Sequence, residues 1–232
     1  MKIYSYVLRT DDGSAPNPFG EVCTLSICKP AIRRTACIGD WVIGTGSRRV
    51  NLGDGKIIDF ADSIVYAMKI TDIKTLKEYD EYCKHSLINK IPVFETDNWE
   101  LKVGDCIYDY SKGSEPLIRK GVHNECNRKR DLGGKNALLS NNFYYFGSEA
   151  RHLPSELSAL IKKSQGHKKI ENKQLIEQFE NWIAQFEKNK IYADPQMRWY
   201  FDRHITDEDL SICAKTCVQD EKEDEDIEEK VD

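Results

Sequence analysis

Extended, β-prone segments crowd the first 150 residues of this chain, and its one long amphipathic helix comes after them. That order is the strongest restriction on the fold. Strands first and helices last describe an α+β domain, not alternating βαβ units. Segments 2–8, 22–29, 41–44, 64–70 and 136–146 are rich in Tyr, Ile, Val and Phe, and Gly, Pro and Asp punctuate them. Pro30 suits the first turn of a short helix running to Cys37, because its missing N–H is not needed there. A helix over 74–85 puts Leu76, Tyr79 and Cys83 on one face, with Asp72 or Thr75 as its cap. Segment 99–110 reads as strand, turn, strand. Segment 112–135 is irregular and carries a net charge of +4. Helices are expected over 155–164, 171–190 and 207–217. The clearest is 171–190, where Leu175, Ile176, Phe179, Trp182, Ile183 and Phe186 form one apolar stripe of the kind that packs on a core.

Charge divides the chain further. Residues 220–232 hold nine acids and two lysines, net −7, which leaves +2 on residues 1–219. A run with so little apolar surface cannot offset its ordering entropy, so it is expected to be disordered. The organisation expected is a β-rich core over 1–150, a helical extension packed on it over 151–217, and an acidic disordered tail over 218–232. No apolar run reaches the ~18 residues of a membrane helix. The first residues, Met1 to Tyr6, lack the apolar stretch and cleavage site of a secretory signal. A cytoplasmic protein that engages no membrane is expected.

The eight cysteines form no Cys-x-x-Cys pair, and Cys213/Cys217 alone approach the spacing of half a zinc site. Neither a metal nor a cofactor is expected, and the thiols read as small buried hydrophobes. Phosphate-binding glycine loops, metalloprotease motifs and the Gly-x-Ser-x-Gly elbow are absent from the sequence.

Several ordered strings carry a family resemblance: Ala15-Pro16-Asn17-Pro18-Phe19, the run from Cys23 to Arg33, the run from Gly39 to Ser47, Val65-Tyr66-Ala67-Met68, and Ala137-Leu138-Leu139-Ser140 continuing to Gly147. Together they resemble the second of the nucleotide-modification-associated domain families over about residues 3–200. The resemblance implies association with systems that make or handle modified bases, in phages and bacterial defence. A looser likeness of element order is to the EVE, YTH, ASCH and PUA group of small mixed β-barrels. It implies such a barrel followed by C-terminal helices, with an aromatic-lined pocket for one extruded base near Trp41, Gly44, Ser47 and the Asn17 loop.

A base pocket needs an aromatic wall and a few short polar groups. Tyr4, Tyr6, Trp41 and Tyr66 are available walls. Asn17, Thr45 and Ser47 are the polar groups, and Gly44 and Gly46 allow close backbone approach. Lys29, Arg33, Arg34, Arg48 and Arg49 are candidates to neutralise phosphates. The expected partners are DNA, single nucleotides or RNA, with partner proteins of a modification or defence system. Two alternatives stand beside this reading. An enzyme acting directly on a base would draw on Cys28, Lys29, His123 and Asp131, since a thiol nucleophile needs a base nearby. No base neighbours Cys28 in sequence, so Cys28 is expected to be an unreactive buried thiol. A protein-interaction module would use the acidic tail and Trp199-Tyr200-Phe201.

Overall fold

The computed structural model describes residues 1–53, 55–163 and 166–201, together with the backbone of 228–231. The fold is mixed α+β, built on two main sheets and two short hairpins, β4 (Val50–Asn51) with β5 (Ile57–Ile58) and β8 (Tyr108–Asp109) with β9 (Leu117–Ile118). The larger one runs β14 (Lys190–Ile191), β11 (Phe143–Tyr145), β6 (Ser63–Lys69), β3 (Trp41–Thr45), β1 (Ile3–Val7), β13 (His167–Ile170) and β15 (Glu228–Val231), and β12 (Arg151–His152) also pairs with β6. β1 and β3 are parallel, with Ile3 opposite Trp41, whereas β6 is antiparallel to β3. The smaller sheet places β10 (Asn136–Ser140) between β2 (Cys23–Leu25) and β7 (Asp72–Thr75).

Alternation along the strands sets the layers. Trp41, Ile43, Ile64 and Ala67 face α5 (Lys173–Ile183) and meet its Leu175, Ile176, Phe179 and Ile183. Each of those helix side chains contributes ~1.5–3 kcal/mol by leaving water. The opposite face of the large sheet carries Tyr4, Tyr6, Val42, Tyr66 and Met68 onto Cys23, Leu25 and Leu138 of the small sheet. Beyond that, Ala137 and Leu139 pack on Leu76, Tyr79 and Cys83 of α2 (Leu76–Ser86). Thr75 caps α2 with a reciprocal capping box to Glu78.

Several expectations are corrected. Among the described residues no pairing joins the ends of the large sheet, so it is open and not the expected closed barrel. Segment 136–146 is two strands, because Ser140 and Asn142 form a polar turn that sends β11 into the other sheet. Segment 99–110 begins with the short helix α3 (Trp99–Lys102), started by the Asn98 side chain accepting from the Glu100 N–H. The 151–201 segment is not helical alone, since β12, β13 and β14 all add to the large sheet. The backbone of 228–231, inside the run expected to be disordered, pairs in parallel with β13. The helix expected over 207–217, with Cys213 and Cys217, lies outside the described residues. No helix among those residues is long and apolar enough to cross a membrane.

Candidate active site

Cys28 sits between β2 and the short helix α1 (Pro30–Thr35), in a backbone conformation that side chains avoid. Its φ is 56°, and Lys29 follows at 40°. Left-handed geometry costs a non-glycine residue on the order of 1–3 kcal/mol and persists only where the surroundings over-determine it. Here they do. The Cys28 N–H donates to Asp131 Oδ1 at 2.9 Å, and the Cys28 carbonyl accepts from Arg33 Nε at 2.7 Å. Both backbone polar groups of the cysteine are therefore held by side chains.

The same carboxylate reaches the thiol by a second route. Asp131, on α4 (Arg128–Gly133), accepts the His123 Nδ1–H at 2.6 Å through Oδ2. His123 Nε2 then lies 3.4 Å from Cys28 Sγ. Tyr108 Oη, on β8 (Tyr108–Asp109), donates to the same Oδ2 at 2.9 Å. Asp131 is fully buried, His123 is 2% exposed and Cys28 is buried at 9% exposed. A proton on Nδ1, held by the carboxylate, leaves Nε2 as the acceptor for the thiol proton. That is the arrangement of a nucleophile, a base and an orienting acid.

Arg33 explains how distant segments hold this geometry. Its guanidinium is fully buried and donates to the carbonyls of Cys28, Asn136 and, at 2.6 Å, Asp131. Gly134 makes room for it: a Cβ there would stand 2.3 Å from the guanidinium carbon. Burial lowers the Arg33 pKa, and nearby Asp131 opposes that shift. Asp12, buried beside the site, is raised by burial, while its carboxylate accepts from Ser14. Asp12 interacts electrostatically with both Cys28 and His123.

Of the residues expected to form a base pocket, Tyr6, Gly44 and Tyr66 meet, whereas Trp41 and Asn17 have other partners. Trp41 packs edge-on against Phe179 at 5.2 Å and donates from Nε1 to Glu180, on the α5 side of the sheet. Asn17 is fully buried on the other side, where its amide donates to the Val103 carbonyl and its Oδ1 accepts from Lys90. Burial takes the Lys90 ammonium down to about 8. Tyr66 Oη hydrogen-bonds Tyr6 Oη, and its ring fills the space a Cβ on Gly44 would take. Gly46 lies against the Cβ and backbone carbonyl of Phe60. Ser47 is half-buried and accepts from Phe60 N–H through its carbonyl.

Of the phosphate candidates, Arg33 is structural and Arg34 is exposed and donates to the Gly133 carbonyl, whereas Arg48 and Arg49 are exposed. Lys29 is half-buried with Nζ 4.7 Å above the Tyr6 ring. Tyr200 and Phe201, offered as adhesive surface, are buried with Phe19 and Val103. Sequence reasoning missed Tyr108 and the structural role of Arg33. The sequence signal for Arg33 was weak, an arginine three residues into a helix beside a second arginine.

Among the described residues no cluster of His, Cys, Asp and Glu could hold a metal ion. No curated protein and no solved structure matches the chain significantly. The family model described as nucleotide modification associated domain 2 matches residues 1–203, most of the chain and all three members of the Cys28–His123–Asp131 relay. The chain therefore belongs to the nucleotide modification associated domain 2 family.

Proposed function

We propose that this protein is a cysteine-dependent enzyme of nucleotide modification that transfers or hydrolyses an acyl group. The observation that carries the reading is the relay itself: thiol to imidazole at 3.4 Å, imidazole to carboxylate at 2.6 Å. In this reading His123 Nε2 takes the Cys28 proton, and the thiolate attacks a carbonyl carbon carried by a nucleotide. A C–S bond forms, and the carbonyl π pair moves to oxygen. Collapse of the tetrahedral intermediate breaks the bond to the amine or alkoxide leaving group, which receives the proton from His123. Water, deprotonated by His123, or an acceptor amine then releases the acyl group from the thioester. No external oxidant or reductant enters the balance.

A nucleotide or nucleic-acid substrate fits the family. The reading as a passive base reader has less support, because Trp41 packs on α5 while Asn17 is buried against Val103 and Lys90. The test is acylation by p-nitrophenyl acetate and by N-acylated cytosine and adenine nucleotides, followed by intact and peptide mass spectrometry. A hydroxylamine-sensitive adduct on Cys28 that disappears in His123→Ala is expected. Adducts spread equally over Cys37 and Cys126, or indifferent to His123, overturn the proposal.

A further inference from the structure

The relay has a fourth member whose position the nucleophile reading does not require. Tyr108 is buried, and its hydroxyl donates to Asp131 Oδ2, the oxygen that also receives His123 Nδ1–H. The hairpin of β8 with β9 (Leu117–Ile118) delivers it. That hairpin is anchored by Arg119, which donates to the Cys106 carbonyl at 3.0 Å and pairs with the buried Asp80 at 2.7 Å. Two donors therefore compete for one oxygen, while Cys28 N–H occupies the other.

Resting on the reading of Cys28 as nucleophile, we propose that Tyr108 is a positioning residue that sets how firmly Asp131 holds the proton on His123. The physical reason is charge dispersal. A hydroxyl donating to a carboxylate spreads its negative charge and weakens what the oxygen offers a second donor. With Tyr108 in place, the imidazolium is held less tightly, and the thiol–imidazole pair keeps more of its neutral form. Without it, Asp131 is the stronger acceptor and favours the charged imidazole. Other charged and titratable groups interact with the relay: Asp12 with Cys28 and His123, Tyr6 with Cys28, Arg33 with Asp131 and Cys28, and Arg128 with Tyr108. Asp12 supports the imidazolium and the two arginines oppose it, and the Tyr108→Phe change leaves all of them in place.

The experiment is the NMR titration of the His123 ring in Cys28→Ser, with and without Tyr108→Phe. The serine removes the coupled thiol titration, so the imidazole titrates singly. The expected result is a rise in the His123 midpoint of about half to one pH unit in the Phe variant. Site-specific 3-fluorotyrosine at 108, a stronger donor of the same shape, should move the midpoint down. It also serves as the reading if Tyr108→Phe does not fold. An unmoved midpoint, or shifts of the opposite sign, overturn the role of Tyr108, because a purely structural tyrosine has no reason to change the imidazole. The parent protein separates this failure from failure of the enzyme reading. If Cys28 in the parent is alkylated no faster than Cys37, the nucleophile reading falls whatever His123 does. If Cys28 is fast and the midpoint does not move, only the role of Tyr108 falls.

Discussion

Replacing Asp131 by Asn probes the site through hydrogen-bond inventory alone. Asp131 receives three donors and gives none: Cys28 N–H on Oδ1, and His123 Nδ1–H and Tyr108 O–H on Oδ2. An amide keeps one acceptor oxygen and puts an NH2 where the other was. If that NH2 faces Cys28, a buried backbone N–H loses its partner, at a cost of ~1–3 kcal/mol. If it faces His123, Tyr108 can rotate to accept, but the imidazole must carry its proton on Nε2. The base then presents a hydrogen to the thiol and cannot take one. In serine triads the equivalent change lowers turnover by about 10⁴-fold through the wrong tautomer. For simple alkylation the loss is bounded. An unassisted thiol with pKa ~8.5 is about 3% ionised at pH 7, so a fully activated one can lose at most about thirty-fold. The assay is the iodoacetamide rate at Cys28 by peptide mass spectrometry, with circular dichroism to confirm the fold. The expected result is a ten- to thirty-fold slower rate with ~1–3 kcal/mol or less lost in stability. A folded Asp131→Asn protein that alkylates within twofold of the parent and is as stable as the parent refutes the assignment of Asp131 as the orienting acid.

Trp41→Ala should cost ~3–5 kcal/mol by emptying the contact with Phe179, yet leave Cys28 alkylation unchanged well below the melting temperature; calorimetry and alkylation on the one variant check both. Gly134→Ala drives a methyl into the buried Arg33 guanidinium, so urea unfolding should show a loss of ~1–3 kcal/mol, and Cys28 should react more slowly as its carbonyl anchor shifts. Burial raises the Asp11 carboxyl to about 7, against ~3.9 in an unfolded chain, although Tyr145 Oη and Gln196 N–H donate to it. The sign follows: its contribution to stability is full below pH ~4 and is lost as pH rises toward ~7, by up to about 4 kcal/mol. Asp11→Asn, neutral at every pH, should flatten that decline in urea midpoints between pH 4.5 and 7.5.

Local chemistry made part of this structure legible in the sequence. Pro30 started α1, Thr75 capped α2, and the Leu175–Ile176–Phe179–Ile183 stripe marked the helix that covers the large sheet. Element type failed where tertiary contacts decide it. The polar turn at Ser140–Asn142 splits one apolar run between two sheets, and the four-residue β13 segment, with two lysines, carries no strand signal of its own and becomes a strand through its pairing with β1. The candidate site divides the same way. Cys28, His123 and Asp131 could each be named as chemically able, but the contacts joining them cross 95 and 103 residues of chain, and nothing periodic records them. Trp41 shows the converse. A tryptophan after a Gly-Asp turn looks like a stacking platform, but strand alternation alone does not say which face meets α5. The arginines illustrate how charge misleads: Arg33 and Arg34 are adjacent, yet one is buried holding three carbonyls and the other is exposed.

The most direct measurement is a competition among the cysteines of the native protein. Cys37 and Cys126 are exposed, whereas Cys28 is 9% exposed, so access alone ranks Cys28 behind both. Sub-stoichiometric iodoacetamide at pH 6–7, followed by peptide mapping, reads the ranking directly. Activation by His123 predicts that Cys28 is labelled first, by tenfold or more, and that the preference vanishes in His123→Ala. Labelling that follows exposure, with Cys37 and Cys126 ahead and Cys28 protected until the protein unfolds, contradicts the claim that this fold carries a working cysteine nucleophile.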